Sequence, residues 1–415
     1  MVIPDYYEFG SRAHIMAGHD ALEQIPGLLT SMGGQHPMVI TDQGVARAGL
    51  VDILLQVLDS RITVKTIQDD VPADSDLKTV HTLAGQYKKY GCNAIIALGG
   101  GSVMDTAKGV NILVSTSSDN LLAFSGANAL THRLNPLVAV PTTAGTGSEV
   151  TRVAVISDPE NLRKLLFTSG FLMPDAAVLD PRMTLSLPAP VTAATAMDAL
   201  SHAVEACLCL GRNPLSTAHA HEAIALISHH LVPVIRQPDH KPGRLALATG
   251  AALAGMAFSN SMVGMVHTLG HAVGSVCHAA HGTCMAVLLP YGMAYNLHKT
   301  QPLLADLLLP MAGADVYART RPADRAQKAI DWVGRMNQRL HRATGGFHAV
   351  RLQDIKAPDG RALVPRQLLP KIAHTALGDG SIFYNPEDLD YDDCLMVLEA
   401  AFDGAPLDLS RVKKG

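Results

Sequence analysis

The chain has 415 residues, more than one hydrophobic core usually serves, so two domains are expected. Hydrophobic residues make up 48% and charged residues 17%, which is typical of a globular protein and excludes a disordered one. The formal net charge of −4 gives no electrostatic reason to expect nucleic acid or an anionic membrane as a partner.

The N-terminus and the cysteines indicate the compartment. The start, Met1-Val2-Ile3-Pro4-Asp5, lacks the basic and apolar regions of a signal peptide. Six cysteines are scattered without a paired framework, which favours reduced thiols and a cytoplasmic location. The longest apolar stretch, from about Thr249 to Val276, contains Asn260, two histidines and several glycines, so a buried helical hairpin is favoured over a membrane span.

The N-terminal part of the chain alternates short apolar runs with helical stretches. Strands are predicted at residues 37–41, 62–67, 93–98 and 136–140, with a helix near 76–90. Apolar strands that alternate with helices predict a parallel sheet covered on both faces, connected by right-handed crossovers.

The pattern changes between Pro181 and Pro190. Beyond Ala189 the chain is rich in Ala, Leu, His and Met with helical periodicity, and strand signals almost vanish. We therefore predict an α/β domain over residues 1–184 and an all-helical domain over residues 185–415. Gly, Pro and mixed charges between about Ala343 and Pro370 indicate a surface excursion.

Two glycine-containing loops follow predicted strands. Gly99-Gly100-Gly101-Ser102 lies between a strand and a helix, where backbone amides and the helix N-terminus favour an anion. A tight strand-to-helix turn is the alternative. The second loop, Thr142 to Thr151, is dense in hydroxyls and glycine. Two such loops at the carboxyl ends of parallel strands would flank one ligand crevice.

Asp42 comes just after the first predicted strand. A carboxylate there can bond a ribose diol and repel a 2′-phosphate, although a simple turn-forming Asp fits the spacing as well.

A carboxylate and several imidazoles recur at helical spacing. Asp198 and His202 are four residues apart, His267 and His271 repeat that spacing, and His281 follows ten residues later. Residues at this spacing share one helix face. Any one of the 19 histidines has an ordinary explanation, but ionisable groups in such apolar helices need partners. A divalent transition metal such as iron or zinc would provide one.

Four motifs, in this order, resemble the iron-containing (group III) alcohol dehydrogenases. They are Gly99-Gly100-Gly101-Ser102-x-x-Asp105-x-Ala107-Lys108, Pro141-Thr142-Thr143-Ala144-Gly145-Thr146-Gly147-Ser148-Glu149-Val150-Thr151, Met197-Asp198-Ala199-Leu200-Ser201-His202-Ala203-Val204-Glu205 and His267-x3-His271-x9-His281-Gly282. The likeness extends over nearly the whole chain. It implies a Rossmann-like dinucleotide-binding domain, an all-helical metal-binding domain with the active site between them, and NAD(H)-linked conversion of a small alcohol or aldehyde.

The resemblance also implies residue roles. The metal ligands would be Asp198, His202, His267 and His281, and His271 would be a neighbouring non-ligand that relays a proton. The cofactor residues would be Asp42, which favours NAD over NADP, Gly99, Gly100, Gly101, Ser102, Asp105, Thr142, Thr143, Thr151 and Lys164. Val153 and Phe258 match substrate-pocket positions, and their apolar character favours a short aliphatic alcohol or aldehyde. A small diol, a hydroxy acid or a sulfonated aldehyde stays open as the substrate. Only the resemblance favours iron over zinc or another divalent metal. A homodimer or higher homo-oligomer is also expected.

The chain departs from the family pattern in places. Pro72-Ala73-Asp74-Ser75 stands where many members have Asn-Pro-Thr, Ala280 replaces a usual proline, and the 343–370 segment is longer than expected. Two rivals stay open at this point: a dehydroquinate-synthase-like lyase that uses NAD transiently, and a non-catalytic protein that keeps the scaffold.

Overall fold

The computed structural model describes residues 3–58, 61–161, 163–357 and 359–412. The strands are β1 His14–Ala17, β2 Pro37–Ile40, β3 Thr66–Gln68, β4 Ala94–Gly99, β5 Gly126–Ala127, β6 Leu137–Pro141, β7 Val153–Asp158, β8 Arg163–Thr168 and β9 Ala176–Leu179. The helices are α1 Ile25–Ser31, α2 Gln43–Arg47, α3 Leu50–Leu58, α4 Leu77–Lys89, α5 Gly101–Thr116, α6 Ala189–Leu208, α7 Pro214–Arg236, α8 Lys241–Phe258, α9 Met265–Cys277, α10 His281–Tyr295, α11 Leu297–Ala312, α12 Ala314–Arg319, α13 Arg325–Ala343, α14 Leu369–Ala376 and α15 Tyr391–Asp403.

The chain forms two compact units. The sheet unit comprises Gly10–Leu187 with His240–Gly255, and the helical unit comprises the described residues up to Phe9, Pro188–Asp239 and the chain from Met256 onward. Residues 240–255, most of α8, therefore belong with the sheet although they follow two long helices of the other unit. The predicted boundary between residues 184 and 185 stays a prediction.

The sheet unit contains a six-stranded sheet in the order β1-β9-β6-β4-β2-β3. Every neighbouring pair is parallel, as predicted. The sheet unit has two hydrophobic clusters. In β4 the side chains of Ile95 and Ala97 belong to the first cluster, and those of Ile96 and Leu98 belong to the second. Both faces are thus covered, because successive strand residues point to opposite sides.

The predicted strand at residues 62–67 was wrong in its bounds. The strand β3 begins at Thr66, although Thr63 and Lys65 already donate backbone hydrogen bonds to Gln35 and Pro37. A short strand is common at a sheet edge, where only one neighbour holds it. A second sheet, β5-β8-β7, was not predicted; its β7–β8 pair is antiparallel.

The helical unit confirms the predicted all-α character. Helix α6 is buried along most of its length and packs against α7 and α10. The segment predicted as a helical hairpin, residues 249–276, comprises the end of α8 and most of α9. Most of α8 belongs to the sheet unit, and the hairpin itself stays a prediction. Between the end of α13 at Ala343 and the start of α14 at Leu369, the described residues contain two short 3-10 helices and one β-bridge, between Lys356 and Ala362. No helix in the described ranges has the length and apolar character needed to cross a membrane.

Candidate metal centre and phosphate loops

Three helices of the helical unit carry the predicted metal ligands. Asp198 and His202 lie one turn apart on α6, and both are buried. His267 lies in the first turn of α9, and His281 is the first residue of α10. Helix α9 ends at Cys277, and the left-handed conformation of its C-cap His278 turns the chain back toward α10.

The four ligand atoms, one from each residue, lie within 4.8 Å of one another. Measured from Asp198 Oδ1, His281 Nε2 is at 3.2 Å, His267 Nε2 at 3.8 Å and His202 Nδ1 at 3.9 Å. The two buried nitrogens of His202 and His267 have no hydrogen-bond partner within the described residues. Because buried polar atoms rarely stay unpaired, this donor set fits a divalent cation.

The protonation states of the candidate ligands also suit a bound cation. Burial lowers the pKa of His202 to about 3 and the pKa of His267 well below its ordinary value. Burial opposes ionisation of Asp198, but the adjacent His202 and His281 hold its pKa below the usual range. Neutral imidazoles and an ionised carboxylate are the forms that bind metal.

Glu205 orients one of these ligands. Its carboxylate accepts the backbone N–H groups of Val266 (2.8 Å) and His267 (3.3 Å), and it also bonds Nδ1 of the His267 ring. A proton on Nδ1 leaves the Nε2 lone pair directed at Asp198. Burial raises the pKa of Glu205 to about 7. Glu205 belongs to the third motif without a predicted role, although it lies seven residues after Asp198, two turns along the same helix.

Phe258, predicted in the substrate pocket, and His271, predicted as a proton relay, both contact the candidate metal ligands. The Phe258 ring stacks on His202 with centroids 4.1 Å apart. His271 stacks on His281 at 5.2 Å, and its Nδ1 lies 2.8 Å from Asp379 Oδ2. His271 is therefore beside the four ligands but is not a member of that cluster. Val153 is half-buried at the start of β7 in the sheet unit.

The first glycine loop connects β4 to α5. A Cβ on Gly99 would come within 2.5 Å of Val103 Cγ2, and one on Gly101 within 2.9 Å of Thr146 Cγ2. Gly100 is the N-cap of α5, without a side-chain cap. The loop therefore packs closely on the second loop and leaves backbone amides at a helix N-terminus, the arrangement that binds phosphate.

The second loop follows β6 and contains Thr142, Thr143 and Thr151. The Thr142 N–H donates to the Gly99 carbonyl (3.1 Å), which joins the two loops. Lys108, fully buried on α5, donates to the Thr151 carbonyl and hydroxyl (3.0 and 3.1 Å) and to the Val153 carbonyl (2.7 Å). Burial lowers the pKa of Lys108 to about 8. Lys108 belongs to the first motif, but its anchoring contact was not predicted from the sequence.

Asp105 and Ser102 also hold these loops. Asp105 accepts from the Ser148 hydroxyl (2.9 Å) and the Val155 N–H (3.1 Å). The Ser102 hydroxyl donates to the Ala73 carbonyl. Each side chain thus connects α5 to a neighbouring loop.

Asp42 and Lys164 lie at other positions of the sheet unit. One Asp42 oxygen accepts the Val45 N–H at 3.0 Å and caps α2, immediately after β2. Lys164 forms an exposed ion pair with Asp74 at 3.3 Å, and Asp74 belongs to the segment that departs from the family pattern.

A doubly covered parallel sheet with two glycine-containing loops, and a candidate metal centre of one aspartate and three histidines, are the features expected of a metal-dependent dehydrogenase of alcohols. The chain belongs to the iron-containing alcohol dehydrogenase family: the family profile "Iron-containing alcohol dehydrogenase" matches residues 13–181, and its "Fe-containing alcohol dehydrogenase family, C-terminal" counterpart matches residues 192–402. The resemblance, the reaction class and the fold class are thereby confirmed. Membership implies NAD and a divalent metal as cofactors.

Named relatives agree with this. A 1,3-propanediol dehydrogenase of Klebsiella pneumoniae is 32% identical over 93% of this chain and 96% of that protein. An NAD-dependent methanol dehydrogenase of Bacillus methanolicus is 33% identical over 77% of this chain and 84% of that protein. A crystal structure of 1,3-propanediol oxidoreductase superposes with a TM-score of 0.89 at 32% identity, over 96% of this chain and 100% of the other. These matches favour the dehydrogenase over both rivals.

Proposed function

We propose that this enzyme uses NAD(H) to interconvert a small aliphatic alcohol or diol and its aldehyde, with Fe²⁺ held by Asp198, His202, His267 and His281. The cluster of four ligand atoms within 4.8 Å carries the proposal. Two relatives, the 1,3-propanediol dehydrogenase and the methanol dehydrogenase, support a short alcohol or diol. The name of the family supports iron, which this donor set accepts.

The metal site would act on the substrate oxygen. A divalent ion bound there supplies Lewis acidity, a contribution of several kcal/mol in general. Asp198 contributes the negative charge of the site, and Glu205 keeps the Nε2 of His267 available. Phe258 lies beside His202 and would exclude water from the substrate side.

The alcohol would lose a hydride from its carbon and a proton from its oxygen. His271 is our candidate for the proton acceptor, because it is 43% exposed and can pass the proton to water. The hydride would reach the nicotinamide, and aldehyde, NADH and a proton would be formed. No other oxidant is needed.

The sheet unit would bind the cofactor. The backbone amides at Gly99, Gly100, Gly101 and Ser102 would donate hydrogen bonds to the pyrophosphate, and Lys108 would hold the second loop beside them. Thr142, Thr143 and Thr151 would contact the nucleotide, and Lys164 its ribose. Asp105 would act on the loop through Ser148, and Asp42 would discriminate against a 2′-phosphate.

NADH absorbance provides the test. The purified protein is stripped with a chelator, reloaded with Fe²⁺ or Zn²⁺, and assayed with methanol, short straight-chain alcohols and 1,3-propanediol, and in reverse with their aldehydes. We expect metal-dependent turnover that Asp198→Ala abolishes. The control His229→Ala removes an exposed helical histidine and should keep full activity. Absence of net NADH production with every alcohol would reject the proposal and favour the lyase rival.

The location and the assembly are finer proposals. Six free thiols support a reducing compartment, and cell fractionation would test a cytoplasmic location. Val155 and Leu166, cross-strand partners on β7 and β8, are both exposed, which supports burial of this apolar pair in a homodimer. Light scattering would detect the dimer, and Val155→Lys should dissociate it.

A further inference from the structure

His271 has a carboxylate partner that no motif includes. On α9 it lies one turn beyond the ligand His267, and its Nδ1 is 2.8 Å from Oδ2 of Asp379, 108 residues further along the chain. The distance is that of a charge-assisted hydrogen bond. His271 is thus the second imidazole of α9 whose Nδ1 bonds a carboxylate.

Asp379 is itself fixed in place. It is the N-cap of the 3-10 helix Gly380–Tyr384, and its Oδ1 accepts the Ser381 N–H at 2.8 Å. Its side chain is 21% exposed, compared with 43% for His271. Burial opposes ionisation of Asp379, but the hydrogen bonds from His271 and Ser381 hold its pKa below the ordinary value. One oxygen is therefore anchored to the backbone while the other faces the imidazole.

An ionised carboxylate can only accept hydrogen bonds. In the neutral ring of His271, Nδ1 then carries the hydrogen and Nε2 keeps its lone pair. The same contact fixes the rotation of a ring that also stacks on His281 and meets the His267 ring edge-on. An imidazole without such a partner would populate both tautomers and several orientations.

We propose that Asp379 is a positioning residue, which holds His271 in the Nδ1–H tautomer with Nε2 free to accept the proton of the substrate alcohol. The inference rests on the proposed function. In the step concerned, the O–H bond of the alcohol breaks, its proton forms a bond to Nε2, and the hydride leaves the carbinol carbon for NAD⁺. The imidazolium then returns its proton to water.

The first test reads the tautomer without turnover. Long-range ¹H–¹⁵N correlation spectra of histidine-labelled, metal-free protein identify the protonated ring nitrogen. The His271 signals, assigned with His271→Ala, should show Nδ1–H in the wild type. Asp379→Ala should give mixed tautomers or Nε2–H. Nε2–H in the wild type, or an unchanged spectrum in the variant, would overturn the assignment.

The second test uses kinetics of the metal-loaded enzyme. Asp379→Ala should lower kcat about 10- to 100-fold, the range seen when the partner of an active-site histidine is removed, while the KM for alcohol and the bound metal change little. Asp379→Asn should lose a similar factor, because its amide can donate to Nδ1 and select the wrong tautomer. In a His271→Ala background, Asp379→Ala should cause no further loss, since its effect passes through His271.

A matched control removes another carboxylate–imidazole contact of the helical unit. Oε2 of Glu387 lies 2.6 Å from Nε2 of His298, which is on α11. Glu387→Gln should leave kcat within about twofold of the wild-type value. Multiplicative losses in the double variant, or an unchanged kcat for Asp379→Ala, would reject the role of Asp379. If the wild type shows no NAD-linked turnover, the proposed function is rejected instead. The tautomer spectrum would still show whether Asp379 positions the His271 ring.

Discussion

The carboxylate of Glu205 bonds both the imidazole of His267 and the backbone at the start of α9, 62 residues further along the chain. Gly264, the N-cap of α9, has no side chain to pair the first amides of the helix. Glu205 pairs two of those amides, from Val266 and His267, while it bonds the Nδ1 of His267, a proposed metal ligand. Helix stability and ligand orientation therefore depend on one side chain.

Replacing Glu205 should weaken metal binding. In Glu205→Gln the amide accepts fewer hydrogen bonds and carries no charge, so the metal affinity should fall about 10- to 100-fold. Titration of the stripped protein with Fe²⁺ or Zn²⁺ measures this. The control Glu222→Gln changes an exposed carboxylate on α7 and should keep the wild-type affinity. Equal affinities for both variants would contradict the ligand-orienting role.

Chelation should destabilise the wild type and leave Asp198→Ala unaffected. A metal present at about 100 times its Kd stabilises the folded state by about 2.7 kcal/mol, since the unfolded chain lacks the site. The melting temperature of the wild type should therefore drop when a chelator is added. Asp198→Ala, without the carboxylate of the site, should melt at one temperature with or without chelator. An equal drop in both proteins would place the stabilising metal elsewhere.

The close packing of the two phosphate loops predicts a cofactor defect in Gly101→Ala. The new Cβ would meet Thr146 Cγ2 at 2.9 Å, so one loop must move and the KM for NAD should rise. Gly85→Ala on α4 is the matched control, because a Cβ there meets open space. Gly85→Ala should raise the free energy of unfolding by about 0.5–1 kcal/mol and leave the KM for NAD unchanged. An unchanged KM in Gly101→Ala would show that the loop spacing tolerates a methyl group.

Cofactor preference should respond to the charge of Asp42. Asp42→Asn keeps an oxygen to cap α2 but removes the charge that repels a 2′-phosphate. We expect the ratio of kcat/KM for NADP to that for NAD to rise about tenfold, which corresponds to roughly 1.4 kcal/mol. Asp52→Asn, on α3, is the control with an unchanged ratio. If this ratio is unchanged in both variants, Asp42 caps α2 but does not discriminate between NAD and NADP.

A buried histidine away from the metal centre predicts acid sensitivity. Burial lowers the pKa of His348 to about 4, and its Nε2 bonds Asn337 Oδ1 at 3.0 Å. The folded pKa lies below the unfolded value near 6.5, so the unfolded state binds the proton first as the pH falls. The free energy of unfolding should therefore decrease between about pH 6.5 and 4, by up to about 1.4 kcal/mol per unit for this group.

Urea unfolding of the wild type and of His348→Gln at pH 7 and pH 5 isolates this contribution. The Gln side chain can still bond Asn337 but does not titrate. The variant should lose less stability than the wild type between the two pH values. The same loss in both proteins would assign the acid sensitivity to other groups.

The sequence by itself determined what local periodicity encodes. Alternation of apolar strands with helices predicted the parallel sheet, and the four-residue spacing of Asp198 and His202 placed two ligands on one helix face, because helix geometry brings residues i and i+4 together. The glycines of the first loop marked the backbone that must approach an anion. The resemblance then assigned the metal ligands, and the structure brings all four together.

Only the tertiary structure decided which distant side chains serve these groups. Glu205 reaches His267 because α6 carries it to the start of α9, and Asp379 reaches His271 from a loop 108 residues away. Lys108 finds its carbonyl partners on the second loop only after α5 is buried. Such pairings depend on how helices pack and on which buried polar atoms lack other partners, and no spacing along the chain encodes them.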